Sequence, residues 1–148
     1  MASLSLIAVP VFLDTTEHAT QLVHQWARMY SYGHKALPTM SVGVCILHLY
    51  MATSKKRRGA QAHSRGRRWL SALAGVSTVL MLPFTWFFMV PTNNELFRLE
   101  ALSRMDPPGV LDMGVADLKG LVGYWAQLHA IRSLFPLAGA ILGTFATF

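Results

Sequence analysis

LMLPFTWFFMVPTNNEL, residues 80–96, begins as an apolar run fit for a bilayer and changes character at Pro91. Beyond that proline stand Thr92, Asn93, Asn94 and Glu95, four polar side chains at the mouth of a hydrophobic segment. Thr92 followed three residues later by Glu95 has the form of a capping box, which predicts a new helix starting there. Asn93 and Asn94 supply amide donors and acceptors with no charge. They read first as helix caps, and second as polar fingers in a pocket for an oily, hydroxylated ligand.

Working outward, the chain has few charges for its length. Hydrophobic residues make up 53% and charged residues 14%, with a mean hydropathy of +0.37. Soluble domains carry about 25% charged residues, so an ordinary wetted surface is not expected. The net charge of +6 is concentrated. Lys55, Lys56, Arg57, Arg58, Arg65, Arg67 and Arg68 fall within one stretch that holds no acid. Because this stretch lies between two apolar spans, it reads as a cytoplasmic connecting loop under the positive-inside rule rather than as a nucleic-acid surface. The single Cys45 excludes an internal disulfide and a cysteine metal site.

The predicted fold is all-α, a single integral membrane domain over residues 1–148 built as a four-helix bundle. Its spans are 3–13, 36–53, 69–90 and 121–147, with the basic loop at 55–68. The first, SLSLIAVPVFL, has about 11 residues where a helix needs ~20 to cross a bilayer. It reads as a shortened first helix, the second half of a span whose beginning is missing or supplied otherwise. No basic n-region precedes it and no clear cleavage site follows, which argues against a signal peptide. Asp14 to Glu17 offers another capping box, after which Leu22, Trp26 and Met29 recur at helical spacing. This predicts a short interfacial helix ending at Gly33, with Trp26, Tyr30 and Tyr32 at the boundary between headgroups and acyl chains. His18, His24 and His34 lack the fourth ligand and tight spacing of a zinc site, so no metal is expected. His48, inside the second span, reads as an interhelical hydrogen-bonding group.

The loop after the third span holds a second short helix, in which Leu96, Leu99, Leu102 and Met105 repeat, and which stops at Asp106-Pro107-Pro108-Gly109. From Thr92 to Gly123 the acids Glu95, Glu100, Asp106, Asp112 and Asp117 face only Arg98, Arg104 and Lys119. This mildly acidic loop belongs opposite the basic one. In the last helix, beginning near Asp117, Trp125, His129 and Arg132 project from one face at i, i+4 and i+7. Gly139 and Gly143, four apart, predict close helix packing. Arg132 at such depth snorkels, pairs with an acid or lines a polar cavity.

Phosphate-binding glycine loops, dinucleotide fingerprints, haem or flavin attachment signals and Ser-His-Asp arrangements are not evident. What remains is a membrane pocket lined by aromatics and amides. In it His129 is the side chain able to take a proton near neutral pH, Arg132, Asn93 and Asn94 are placed to hold an oxyanion, and Trp125 to stack on a flat ring. That set suits proton abstraction from a polycyclic phenol or ketone.

SLSLIAVPVFLD, Trp26 to Pro38 (WARMYSYGHKALP), Val90-Pro91-Thr92-Asn93-Asn94 and Trp125-x3-His129-x2-Arg132, in this order, resemble the DUF1772 family of small membrane proteins. More specifically, the chain is similar to the fungal anthrone oxygenases of polyketide gene clusters. The resemblance implies a four-helix membrane protein of secondary-metabolite biosynthesis, in an endomembrane, that oxidises a polyketide-derived anthrone to the anthraquinone. Molecular oxygen is the co-substrate, and neither metal nor flavin is needed. On that reading His129, Arg132, Asn93 and Asn94 are the candidate catalytic residues, and Trp125, Trp86 and His34 the candidate substrate-binding ones. The partners are an aromatic polyketide small molecule and the lipid bilayer, with no nucleic acid. Two other functions are compatible with the same sequence. One is a non-catalytic membrane tether for a polyketide tailoring enzyme, with the basic loop as docking surface. The other is a transporter subunit with His48, His129 and Arg132 along its path.

Overall fold

A computed structural model of the chain describes residues 4–57, 63–105 and 113–147, and all of its elements are helical. A π-helical turn, Leu4–Ala8, leads into α1, Val9–Thr15. Then follow α2, Ala19–Arg57; α3, His63–Val79; and α4, Met81–Phe84. A second π-helical turn, Thr85–Met89, feeds α5, Val90–Met105, and α6 covers Val115–Thr147. These make four helical runs, two of which are long and apolar enough to cross a membrane: Trp69–Met105, of 37 residues, and Val115–Ala146, of 32.

Several sequence expectations change. Gly33 does not end a short interfacial helix; α2 continues through both Gly33 and Pro38. Glycine in a helix interior costs only about 1 kcal/mol relative to alanine. Proline costs more, about 3 kcal/mol, because it leaves the carbonyl of residue 34 without a donor and its ring crowds that oxygen, yet the helix continues. Asp14 is not a cap but lies within α1. Of the basic stretch 55–68, the parts up to Arg57 and from His63 are helical, so the connecting loop is shorter than expected. Residues 58–62 lie outside the described residues, as do 106–112, on which the expected stop at Asp106-Pro107-Pro108-Gly109 falls.

The decisive change is at the opening stretch. Thr92 and Glu95 do not start a helix, because the helical run passes through Pro91 without interruption. Val90 has helical dihedrals, φ −57 and ψ −43, and its N–H donates to the Thr85 carbonyl, five residues back. The helix therefore has no free end at Thr92 to cap. Glu95 turns instead to Arg98, whose Nη2–H donates to Oε1 at 2.8 Å and Nε–H to Oε2 at 3.0 Å. Further upstream, α3 stops at Val79, the residue whose carbonyl Pro83 cannot serve.

The chain forms two compact units: Met1–Lys35 with Phe84–Arg132, and Ala36–Pro83 with Ser133–Phe148. The first unit's core gathers Val9, Leu22, Val23, Trp26, Met89, Leu96, Leu99, Leu118, Val122 and Trp125. Trp26 is therefore not an interfacial anchor; at 0% exposure it is a core residue. It meets Phe97 edge-on at 5.0 Å and Tyr30 at a tilt.

The second unit is closed by small residues, as the Gly139 and Gly143 spacing predicts. A Cβ on Gly139 would overlap the Thr78 hydroxyl and come within 2.8 Å of the Ala74 carbonyl. One on Gly143 would overlap the His48 ring. Gly75 is less tightly held, since a Cβ there would make an ordinary contact, 3.4 Å from the Cys45 carbonyl. The Ser41 hydroxyl donates to the Thr78 carbonyl at 3.1 Å, and the Ser77 hydroxyl to that of Phe135 at 3.2 Å. His48 departs from expectation, since its Nδ1 is buried with no hydrogen-bond partner. In both units large apolar side chains face outward, among them Leu47, Trp69, Phe87 and Ile141.

Candidate active site

The helical period of α6 carries one face through Leu118, Val122, Trp125, His129 and Arg132, all of them buried in the first unit. The first two are apolar and pack in the core. The last three present an indole N–H, an imidazole and a guanidinium to the same interior. Exposures of 3% for His129 and 9% for Arg132 remove the snorkelling alternative.

Trp125 anchors the arrangement. Its indole N–H donates to Asn93 Oδ1 at 2.8 Å. Because an indole nitrogen can only donate, this contact fixes the amide orientation and leaves the Asn93 NH2 group as the donor side. On its face, Trp125 stacks on His129, with centroids 5.0 Å apart and an angle of 26°. Trp26 closes the other side edge-on at 5.8 Å.

His129 is held at both nitrogens. Arg132 Nη2 lies 3.0 Å from Nε2, and Ser5 Oγ lies 2.9 Å from Nδ1. A guanidinium only donates, so Nε2 must be the accepting nitrogen and the ring proton sits on Nδ1, from which it is donated to the Ser5 oxygen. The second arm of Arg132, Nη1, donates to Thr85 Oγ1 at 3.3 Å. Its Nε–H is buried without a partner. Among the described residues no carboxylate reaches Arg132. A buried cation met only by neutral acceptors, with one donor unused, is poised for an anionic or carbonyl oxygen.

The remaining residues singled out by sequence lie elsewhere. Asn94 is exposed, one step round the helix from Asn93. Trp86 is 78% exposed and points away from the first unit's core. His34 is exposed on α2, stacked on Tyr30 at 5.4 Å with Nδ1 near the Ser31 carbonyl. The structure brings together Asn93, Trp125, His129 and Arg132, and adds three residues that sequence reasoning did not place there: Ser5, Trp26 and Thr85. Helical hydroxyls commonly bond within their own turn, as Thr15, Thr78 and Thr144 do. Nothing in the sequence marks those that reach across to another helix. No group of three or more His, Cys, Asp or Glu side chains suited to a metal occurs among the described residues.

The family model described as anthrone oxygenase matches residues 26–142, most of the chain and all of the site except Ser5. The chain belongs to the anthrone oxygenase family. Anthrone oxygenase AgnL2 of Paecilomyces divaricatus is 54% identical over 145 residues, covering 97% of this chain and 84% of its own length. Anthrone oxygenase tpcL of Aspergillus fumigatus is 42% identical over 143 residues, with 97% and 81% covered. Monooxygenase hypC of Dothistroma septosporum is 38% identical over 148 residues, with 99% and 74% covered. No solved structure matches the chain. Membership of the anthrone oxygenase family makes this an oxidoreductase of the monooxygenase type, which favours an enzyme over a tether or transporter subunit.

Proposed function

We propose that this chain is a multi-pass membrane oxygenase that converts a polyketide-derived anthrone to the anthraquinone in fungal secondary metabolism, using O2 and no metal or flavin. The observation that carries the reading is a buried guanidinium that no carboxylate among the described residues reaches, 3.0 Å from the lone-pair nitrogen of a histidine. Two apolar helices long enough to cross a membrane and the outward-facing apolar side chains support insertion. The basic stretch 55–68 then faces the cytoplasm.

The chemistry asks little of a cofactor. Removing a proton from the anthrone methylene gives an anion whose charge spreads into an aromatic phenolate-type system. In the resting site Arg132 covers His129 Nε2. An anthrone oxygen draws the guanidinium to itself and exposes the Nε2 lone pair, which takes the methylene proton. Charge develops on the ring oxygen, held by Arg132 and the Asn93 NH2 group. Trp125 forms an aromatic wall. The anion passes one electron to O2, and the resulting radical and superoxide combine at the same carbon. Protonation gives a C–H hydroperoxide, which loses water to leave the carbonyl. In sum, a CH2 group and O2 become C=O and H2O.

Oxygen uptake with emodin anthrone, in membranes bearing the chain or its His129→Ala variant, tests this directly once spontaneous oxidation is subtracted. Faster uptake with quinone formation, lost in the variant, is the expected result. Uptake that survives the substitution removes His129 as the base. No acceleration by a stably inserted chain removes the enzymatic assignment of this site.

A further inference from the structure

Both π-helical turns in the described chain deliver a hydroxyl to the same pair of side chains. Ser5, in the turn Leu4–Ala8, reaches His129 Nδ1 at 2.9 Å. Thr85, which opens the turn Thr85–Met89, accepts from Arg132 Nη1 at 3.3 Å. Such turns are rare and costly compared with α-helix, and where they occur they are often at functional sites. Each hydroxyl stands at or next to the first residue of its turn.

We infer that Ser5 and Thr85 are positioning residues of the oxygenase, which together hold His129 as its Nδ1–H tautomer and direct Nε2 toward the Arg132 guanidinium. This rests on the reading of His129 as the base. Without Ser5 the ring loses the acceptor that favours a proton on Nδ1. Ring rotation and the opposite tautomer, with Nε2 protonated and useless as a base, then compete. Arg132 alone opposes that exchange, and its grip depends on Thr85 holding the other arm. Ser5 and Thr85 need touch no substrate to act in this way. The hydroxyls serve His129 and Arg132 much as outer-shell partners orient a metal-bound histidine.

Three measurements on the full chain in detergent or membranes decide the matter. Ser5→Ala is expected to lower kcat about three- to tenfold, the worth of one hydrogen bond, with KM nearly unchanged, and Ser5→Thr to restore it. The 15N resonances of the His129 ring, assigned by loss in His129→Gln, are expected to show the Nδ1–H tautomer in the unsubstituted protein and a tautomer mixture in Ser5→Ala. Thr85→Val is expected to lower kcat in the same way and Thr85→Ser to retain it. An Nε2–H ring in the unsubstituted protein overturns the inference. So does a Ser5→Ala enzyme with unchanged kcat, or one that loses kcat while its tautomer stays put. Full activity in His129→Ala would instead sink the base assignment, and the 15N spectrum would still decide the tautomer on its own.

Discussion

Arg132→Met is expected to make the protein more stable while nearly abolishing turnover. The guanidinium is buried at 9% exposure, donates to His129 at 3.0 Å and to Thr85 at 3.3 Å, and leaves its Nε–H unpaired. Two hydrogen bonds from a charged donor contribute about 3–4 kcal/mol together, the longer one counting at the low end. Against this stand a desolvation cost of several kcal/mol for an ion that no carboxylate among the described residues reaches and about 1–3 kcal/mol for the unpaired donor. Methionine keeps the unbranched stem and fills much of the space. The balance favours the variant by about 2 kcal/mol, the loss of the two acceptors' donor being counted in the worth of the hydrogen bonds. For a chain of this length that is a rise in Tm of about 4–8 °C, measured by thermal unfolding of the purified protein in one detergent. Oxygen uptake with the anthrone should fall about 100- to 1,000-fold, as when an oxyanion donor is removed. A variant that unfolds earlier than the parent would refute the reasoning, because it would mean that the neutral partners already offset the burial of the charge.

Other substitutions test the remaining arguments. Trp125→Phe leaves Asn93 Oδ1 buried without its donor and should cost about 1–3 kcal/mol, with much of that recovered in Trp125→Phe/Asn93→Leu; a double-mutant cycle with no coupling would dissolve the pair. Gly143→Ala should destabilise by about 1–3 kcal/mol through overlap with His48, and His48→Ala in the same chain should relieve it, as read by thermal unfolding. His48→Met, which removes a buried nitrogen without a partner, should raise stability by about 1 kcal/mol and leave oxygen uptake unchanged; lost turnover would give His48 a part in the reaction. Glu95→Gln should change stability by no more than about 0.5 kcal/mol, since the pair with Arg98 lies on an exposed face; a larger loss would restore the capping role.

Part of the candidate site's arrangement was legible because helical periodicity is local. Trp125, His129 and Arg132 share a face whatever surrounds them, since residues four and seven apart on an α-helix align. Gly139 and Gly143 mark a close approach for the same reason, and the scarcity of charge together with the apolar runs indicated an all-α chain with long apolar helices. The sequence could not show that helix α2 runs through Gly33 and Pro38, because propensity is a weak prior that the rest of a long helix can outweigh. It also misread Trp26, whose amphipathic ring suits an interface and a core equally well.

What the tertiary structure alone decided was which polar groups meet. Asn93 and Asn94 are equivalent in sequence, yet neighbours on a helix point roughly 100° apart, so only one can face inward. That choice depends on the phase of the run, and the π-helical turn Thr85–Met89 resets the phase just before the pair arrives. Ser5 and Thr85, each in a π-helical turn, lie beside residues 124 and 47 positions away in the chain. Periodicity assigns a residue to a face; only the packing of one helix on another determines what that face touches.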